Sequence, residues 1–320
     1  AGAGFLKGFL RHVGLEIPVR PIREEPHPLF HGVNPEPIPK NLGVTLAVLG
    51  PETPPSFAVA TDGDADRVGV VLPGGVFFNP HQVLTTLALY RFRKGHRGRA
   101  VKNFAVTWLL DRLGERLGFG VTTTPVGFKW IKEEFLKGDG FIGGEESGGV
   151  GYPEHLPERD GILTSLLLLE SVAATGKDLA EEFKEVEALA GLTHAYDRLD
   201  LPLEAPLDLT PFREPRSLAG LTPKGVDTLD GAKWLYEEGW VLFRVSGTEP
   251  VVRIYVEAQS AELVRALLEE ARKLVWKGNP LRRGRTPCAG GGICTGASPR
   301  HDNLQAWVGG YPQDGRKGLR

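Results

Sequence analysis

Methionine is absent from all 320 residues, and cysteine occurs only at Cys288 and Cys294. With both thiols close to the C-terminus, the body of the chain has no disulfide framework and no thiolate nucleophile. A complete translation product begins with methionine, so a chain that opens at Ala1 and has none reads as a processed or cut piece. No apolar run reaches the roughly 20 residues that span a bilayer, and no charged segment leads an apolar stretch at the start. Neither a membrane segment nor a secretion signal is expected, and the cytosol follows as the default compartment. The net charge of -2 removes the electrostatic case for nucleic acid or an acidic membrane, so any bound anion must be met by local groups. What remains, 41% hydrophobic and 24% charged, is the composition of a soluble globular chain large enough for two or three domains. Scarce sulfur, many prolines and Glu/Arg-rich helices fit a thermophilic source.

Periodicity predicts a helix over 4–13, a strand over 16–20, a helix over 39–49 and a strand over 57–61, an alternation expected to build a parallel α/β layer. That layer begins abruptly, so the first domain reads as incomplete. A new α/β unit follows strand-like 70–78, with Asn79 as cap and Pro80 in the first turn of a helix reaching about Arg93. Strands at 99–102 and 120–123, helices at 107–117 and 130–136, and a strand ending at Ile142 continue the rhythm, and Asp160 caps an apolar helix over 162–175. From His194 the texture changes to short strands, a hairpin of 240–245 with 251–257 and a closing helix over 261–275, which is an α+β pattern. Beyond Trp276 the periodicity stops in Gly, Arg and Pro, which reads either as a flexible natural extension or, the favoured expectation, as out-of-frame reading of a GC-rich gene.

The most informative segment is Thr61-Asp62-Gly63-Asp64-Ala65-Asp66-Arg67. Alternate residues of an extended loop project to one side, so Asp62, Asp64 and Asp66 can converge on one hard cation such as Mg2+; the competing reading is a solvated acidic turn. Two features favour the cation. The loop is expected at the carboxyl end of a strand in an open sheet, and Arg67 suits a site that also receives phosphate.

Three further loops carry chemistry. In Gly143-Gly144-Glu145-Glu146-Ser147-Gly148-Gly149, Glu145 and Ser147 stand two apart and can bind adjacent sugar hydroxyls, against the reading of an ordinary acidic turn. Arg244-Val245-Ser246-Gly247-Thr248-Glu249-Pro250 joins the hairpin strands, and its guanidinium, two hydroxyls and N–H groups around Gly247 form a phosphate nest, where a plain tight turn would explain only the glycine. Thr124-Pro125-Val126-Gly127-Phe128-Lys129-Trp130 sets Lys129 at a helix start, where the dipole and the ammonium both favour an anion, although such lysines are usually solvated. His155 and Arg159 read as structural. Gly2, Gly4 and Gly8 with Glu24 give only a distant echo of a dinucleotide fingerprint, with the wrong spacing.

The ordered series TDGDADR, TPVGFKW, GGEESGG and RVSGTEP resembles the α-D-phosphohexomutases, the phosphoglucomutase/phosphomannomutase family. The resemblance implies a four-domain protein of which this chain holds an incomplete α/β domain over 1–73, an α/β domain over 74–187 with the sugar loop, an α+β phosphate-binding domain over 192–276, and the irregular or non-native tail over 277–320. It implies Mg2+ on Asp62, Asp64 and Asp66, and Arg67 and Lys129 as catalytic cations beside the moving phosphoryl group. Glu145 and Ser147 would hold the sugar, and Arg244, Ser246, Gly247 and Thr248 the phosphate that is not reacting. The implied ligands are glucose or mannose 1- and 6-phosphates and the 1,6-bisphosphate. Two departures stand out: Gly149 occupies a position where many phosphomannomutase-like members have histidine, which together with GFKW leans towards glucose phosphates, and the family's T-x-S-H-N-P serine loop occurs nowhere in the chain. The expected product is a mutase fragment without its phosphoserine domain, with a non-catalytic phosphosugar-binding module or one half of a split mutase as the alternative.

Overall fold

A computed structural model describes residues 2–50, 57–203 and 207–278. The expectation for 277–320 therefore falls, except for the backbone of the last helix, outside the described residues, as do both cysteines.

The N-terminal part holds helix α1 (Phe5–His12) and, after a 3-10 turn at Pro39–Asn41, helix α2 (Gly43–Val48). Leu42, with φ -99 and ψ 17, separates that turn from α2, so the continuous helix expected over 39–49 is broken. The strand expected over 16–20 does not form. Pro18 removes a ladder donor from that stretch, and Pro21 follows directly after it.

Strands β1 (Ala58–Thr61), β2 (Val68–Leu72) and β3 (Val76–Phe78) follow as an antiparallel meander, which corrects the expected parallel layer. Connection length is the physical reason. Only residues 62–67 join β1 to β2, whose register pairs Thr61 with Val68, and a parallel pairing needs a crossover of about a dozen residues or more.

The next unit begins with α3 (Pro80–Arg93), where Asn79 accepts from the Gln82 N–H at 3.1 Å and the Gln82 side chain accepts from the Asn79 N–H at 2.8 Å. There follow β4 (Arg99–Asn103), α4 (Leu109–Leu117), β5 (Val121–Thr124), α5 (Phe128–Phe135), β6 (Gly140–Gly144), β7 (Val150–Tyr152), β8 (Leu156–Arg159), α6 (Gly161–Thr175) and α7 (Leu179–Ala190). The sheet order is β5-β4-β6-β7-β8, parallel through β5, β4 and β6 and antiparallel beyond. Gly143 and Gly144, expected in a loop, are the end of β6, and β7 and β8 were not anticipated. Neither was α7, although Asp178 and Glu181 form a capping box as regular as that of Asn79. Val68, Val70 and Phe78 of the meander share a buried core with Leu84 and Leu87 of α3, Leu109 and Leu113 of α4 and Leu168 of α6, so the β1–β2 loop is carried on the same core as the larger sheet.

The last unit is an antiparallel sheet of β9 (Ala195–Pro202), β10 (Gly225–Asp227), β11 (Ala232–Leu235), β12 (Gly239–Val245) and β13 (Val251–Ala258) in the order β10-β11-β12-β13-β9, followed by α8 (Ala261–Gly278). Strand alternation separates two faces. Val241, Phe243, Val252, Ile254 and Val256 pack with Val264, Leu267 and Ala271 of α8. The opposite face presents Trp240, Leu242 and Tyr255, which are buried against Phe104 and Ala105 after β4. Glu257, 0% exposed, ties this contact together. Its carboxylate accepts from Thr107 Oγ1 at 2.5 Å, His194 Nδ1 at 2.9 Å, the Trp108 N–H at 3.2 Å and Trp240 Nε1 at 2.7 Å.

Candidate functional site

The loop between β1 and β2 brings the three aspartates together, with one carboxylate oxygen from each of Asp62, Asp64 and Asp66 within 4.8 Å of the others. The chain turns at Ala65, whose φ of 66 is a left-handed conformation that costs a non-glycine residue about 1–3 kcal/mol. The loop thus sits in a hairpin of an antiparallel meander, not at the end of a parallel strand as expected, and the turn performs the convergence. Asp62 accepts from the Arg67 N–H at 3.1 Å and from Arg67 Nε at 2.6 Å. Burial pushes the Asp62 carboxyl up, but the Arg67 backbone N–H, side chain and charge together hold it below the usual range. Asp66 is raised to about 6, first by burial and then by Asp62 and Asp64, with Arg159 opposing.

The second loop is stitched to the first. Val68 N–H donates to Gly148 O at 3.0 Å, and Arg67 pairs with Gly149 in an isolated antiparallel bridge. Gly148 has φ 97, and a Cβ there would lie 2.5 Å from Val68 O, so both the conformation and the close approach require glycine. Glu145, 4% exposed, is reached by Arg159 Nη1 at 3.3 Å and Asn103 Nδ2 at 3.4 Å. Ser147 is half-buried in the same turn.

Burial and then the neighbouring Glu146 push the Glu145 carboxyl up to about 7, against Arg159, Asn103 and the Gly127 N–H. A carboxyl that holds its proton better in the fold than in the unfolded chain loses stability as pH rises from its unfolded value towards 7. Urea titrations between pH 4.5 and 7.5 are expected to show this decline, by up to about 3 kcal/mol for a shift of this size. The Glu145→Gln variant should remove the part of the decline between about pH 6 and 7.5 and leave the part due to Asp66, and an unchanged slope would refute the assignment.

The third loop meets the second through Gly127 and the last unit through Val126, whose N–H donates to Asp230 Oδ2 at 2.9 Å. The same oxygen accepts from Arg244 Nε at 2.9 Å. Lys129 is exposed at the start of α5, its ammonium 4.6 Å from the centre of the Trp130 ring, and it makes no ion pair with the aspartates. At the end of the β12–β13 hairpin, Ser246 Oγ lies 3.4 Å from Thr248 Oγ1 and accepts from the Thr248 N–H at 3.4 Å and the Glu249 N–H at 3.3 Å, with Gly247 exposed between them. The Glu146 carboxylate favours the charged forms of Arg198 and Arg244, so the second loop lies within the field of the hairpin sheet.

Two runs of polar contacts stand here, Asp66–Arg159–Glu145 and Val126–Asp230–Arg244, and the third loop connects them, its Gly127 N–H acting on the Glu145 carboxyl. Asn103, Arg159 and Asp230 were missed or set aside in the sequence; only Asn103, at the carboxyl end of a parallel strand, carried a positional signal. A second group of possible metal ligands, His81, His194 and Glu257, belongs to the buried contact described above, where four donors already occupy the carboxylate.

Sequence comparison resolves the arrangement into family domains. Residues 1–75 match the phosphoglucomutase/phosphomannomutase alpha/beta/alpha domain II, 79–189 match alpha/beta/alpha domain III, and 175–274 match the C-terminal domain. The chain belongs to the phosphoglucomutase/phosphomannomutase family. Its glycine-rich start lies within the match to domain II, which sets aside the dinucleotide reading. A phosphoglucomutase/phosphomannomutase of Thermococcus kodakarensis is 33% identical over 287 residues, covering 86% of this chain and 58% of that protein. A phosphoglucosamine mutase of Methanocaldococcus jannaschii is 31% identical over 249 residues, covering 77% of this chain and 55% of that protein. Among solved structures, a candidate phosphomannomutase from Thermus thermophilus is 89% identical with a TM-score of 0.79, over 86% of this chain and 59% of that one. The chain thus spans less than two thirds of the length of these relatives. No helix of the described residues is long and apolar enough to cross a membrane.

Proposed function

We propose that this chain carries the metal, sugar and phosphate loops of a phosphohexomutase, which interconverts hexose 1-phosphate and 6-phosphate through the 1,6-bisphosphate. The observation that supports this reading is the convergence of the loops: Arg159 joins Asp66 to Glu145, and Asp230 joins the Val126 amide of the third loop to Arg244 of the hairpin. A hexose bisphosphate needs such an arrangement: cationic groups at both ends and hydroxyl acceptors between.

In this reading Asp62, Asp64 and Asp66 hold Mg2+, a hard cation suited to three carboxylates, which when bound polarises the phosphoryl oxygens. Arg67, fixed by Asp62, adds fixed positive charge beside the transferring group, and Lys129 carries a proton or charge at the same end. Glu145 accepts from sugar hydroxyls when ionised and donates when protonated, and Ser147 does both. Arg244, Ser246 and Thr248 hold the resting phosphate with forked N–H and hydroxyl donors. The phosphoserine that would donate the phosphoryl group to a sugar hydroxyl has no counterpart in the family-type motifs of this sequence and would come from a first domain. The chain would then be a fragment of a mutase, or one half of a split enzyme.

Calorimetric titration with glucose 1,6-bisphosphate in Mg2+ is the direct test, and mannose and glucosamine phosphates run in competition rank the hexose. Arg244→Ala is expected to weaken the bisphosphate by about tenfold to a hundredfold, the loss of one charge-assisted phosphate contact. Absence of binding by a folded chain would overturn the reading. Turnover restored by a separately expressed serine-bearing domain would distinguish the split enzyme from a module that only binds.

A further inference from the structure

Arg159 lies ten residues beyond Gly149, yet the two are interlocked. Strand β8 ends at Arg159 and pairs it with Gly151 of β7, which folds it back across the sugar loop. A Cβ built on Gly149 would lie 2.2 Å from Arg159 Cδ and 2.9 Å from Cγ, so any larger residue at 149 must displace this side chain from its present path. Beyond that gap the guanidinium stands 5.6 Å from the centre of the Phe128 ring, with Nη2 2.6 Å from Asp66 Oδ2 and Nη1 3.3 Å from Glu145 Oε2. The side chain keeps 28% of its surface exposed, and Asp66 keeps 19%. One forked cation therefore joins a proposed metal ligand to a proposed sugar ligand, and it remains accessible.

We propose that Arg159 is a positioning residue that links cation binding to sugar-phosphate binding, sharing Asp66 with the divalent cation and Glu145 with the sugar. This rests on the phosphohexomutase reading of the three loops. A carboxylate drawn towards a divalent cation holds a guanidinium less firmly, because both compete for the same oxygens. A cation on the aspartates thus weakens the Asp66 contact and leaves the donors of Arg159 turned to Glu145 and to an anionic sugar phosphate. Linkage makes the effect mutual: whatever factor the cation adds to sugar-phosphate affinity, the sugar phosphate adds to cation affinity.

The test titrates the full chain with Mn2+, followed by electron paramagnetic resonance, and with glucose 1,6-bisphosphate in the presence and absence of Mn2+. Arg159→Ala is expected to bind Mn2+ about threefold or more tighter, having lost a competitor for Asp66, and to bind the bisphosphate about tenfold more weakly. Its bisphosphate affinity should also respond less to Mn2+. Damage to the fold would weaken both ligands, so the opposite signs identify the role. Gly149→Ala, which displaces the arginine without removing it, should reproduce both changes, and the double variant should be no worse than either single one. Arg159→Lys keeps the charge without the fork and should fall between. Mn2+ affinity unchanged or weaker in Arg159→Ala, or additive effects of the two substitutions, would overturn the proposal. If the bisphosphate fails to bind the unaltered chain, the functional reading fails, and the Mn2+ titrations still decide whether Arg159 and the cation share Asp66.

Discussion

Replacing Glu257 with alanine is expected to lower the unfolding free energy by about 3–5 kcal/mol, because it leaves four enclosed donors without their charged acceptor. The carboxylate is wholly enclosed and accepts from Thr107, Trp108, His194 and Trp240, which come from the turn before α4, the approach to β9, and β12. Its loss would strand all four donors at the contact between the middle and last units. Burial raises the Glu257 carboxyl, but hydrogen bonding and charge from His194, with His81 and Thr107, bring it down to about 2. The sign follows from linkage. A carboxyl held below its unfolded value of 4.5 adds stability that is complete above that pH and is lost as pH falls through the folded value near 2. Urea denaturation of Glu257→Ala at neutral pH measures the first effect, and hydrogen exchange in 195–258 shows whether the last sheet loosens first. A change under about 1 kcal/mol would show that the hub is not needed.

The other large effect is expected at Asp64. It is the exposed member of the triplet, whereas Asp62 is buried under Arg67. Asp64→Ala should therefore weaken Mn2+ or Mg2+ by about tenfold to a hundredfold while leaving stability within about 0.5 kcal/mol. Asp62→Ala should weaken the cation too, but with a drop in stability, because the Arg67 amide and guanidinium lose their acceptor. Calorimetry paired with thermal unfolding separates the two. Equal cation affinity in Asp64→Ala and the parent chain would exclude the triplet as the metal site.

What could be read in the sequence was local. Asn79 and Asp160 were found as caps because the signal and the bond it makes lie three residues apart. The box at Asp178 and Glu181 carries the same signal and was overlooked. The aspartates could be identified because one turn holds all three, but the kind of sheet beneath them could not, since antiparallel pairing was decided by the brevity of residues 62–67. The connecting residues were the least accessible. Arg159, Asn103 and Asp230 are ordinary polar residues on their own strands or turns, and they gain meaning only when β6, β8 and the last sheet bring carboxylates and amides to them. Gly149 illustrates this limit: as a departure from a motif it suggested a substrate preference, whereas in the fold it is the opening through which Arg159 passes.

If the hairpin holds a phosphate as proposed, Asp230 gives that site a built-in threshold. Arg244 is already engaged by a carboxylate that also anchors the Val126 amide. An arriving phosphate must outcompete that resident anion or settle alongside it. Weak monoanions should therefore be turned away, while a dianionic ester can supply enough attraction to displace the incumbent. On the proposed reading, the selectivity lies in what the guanidinium must give up.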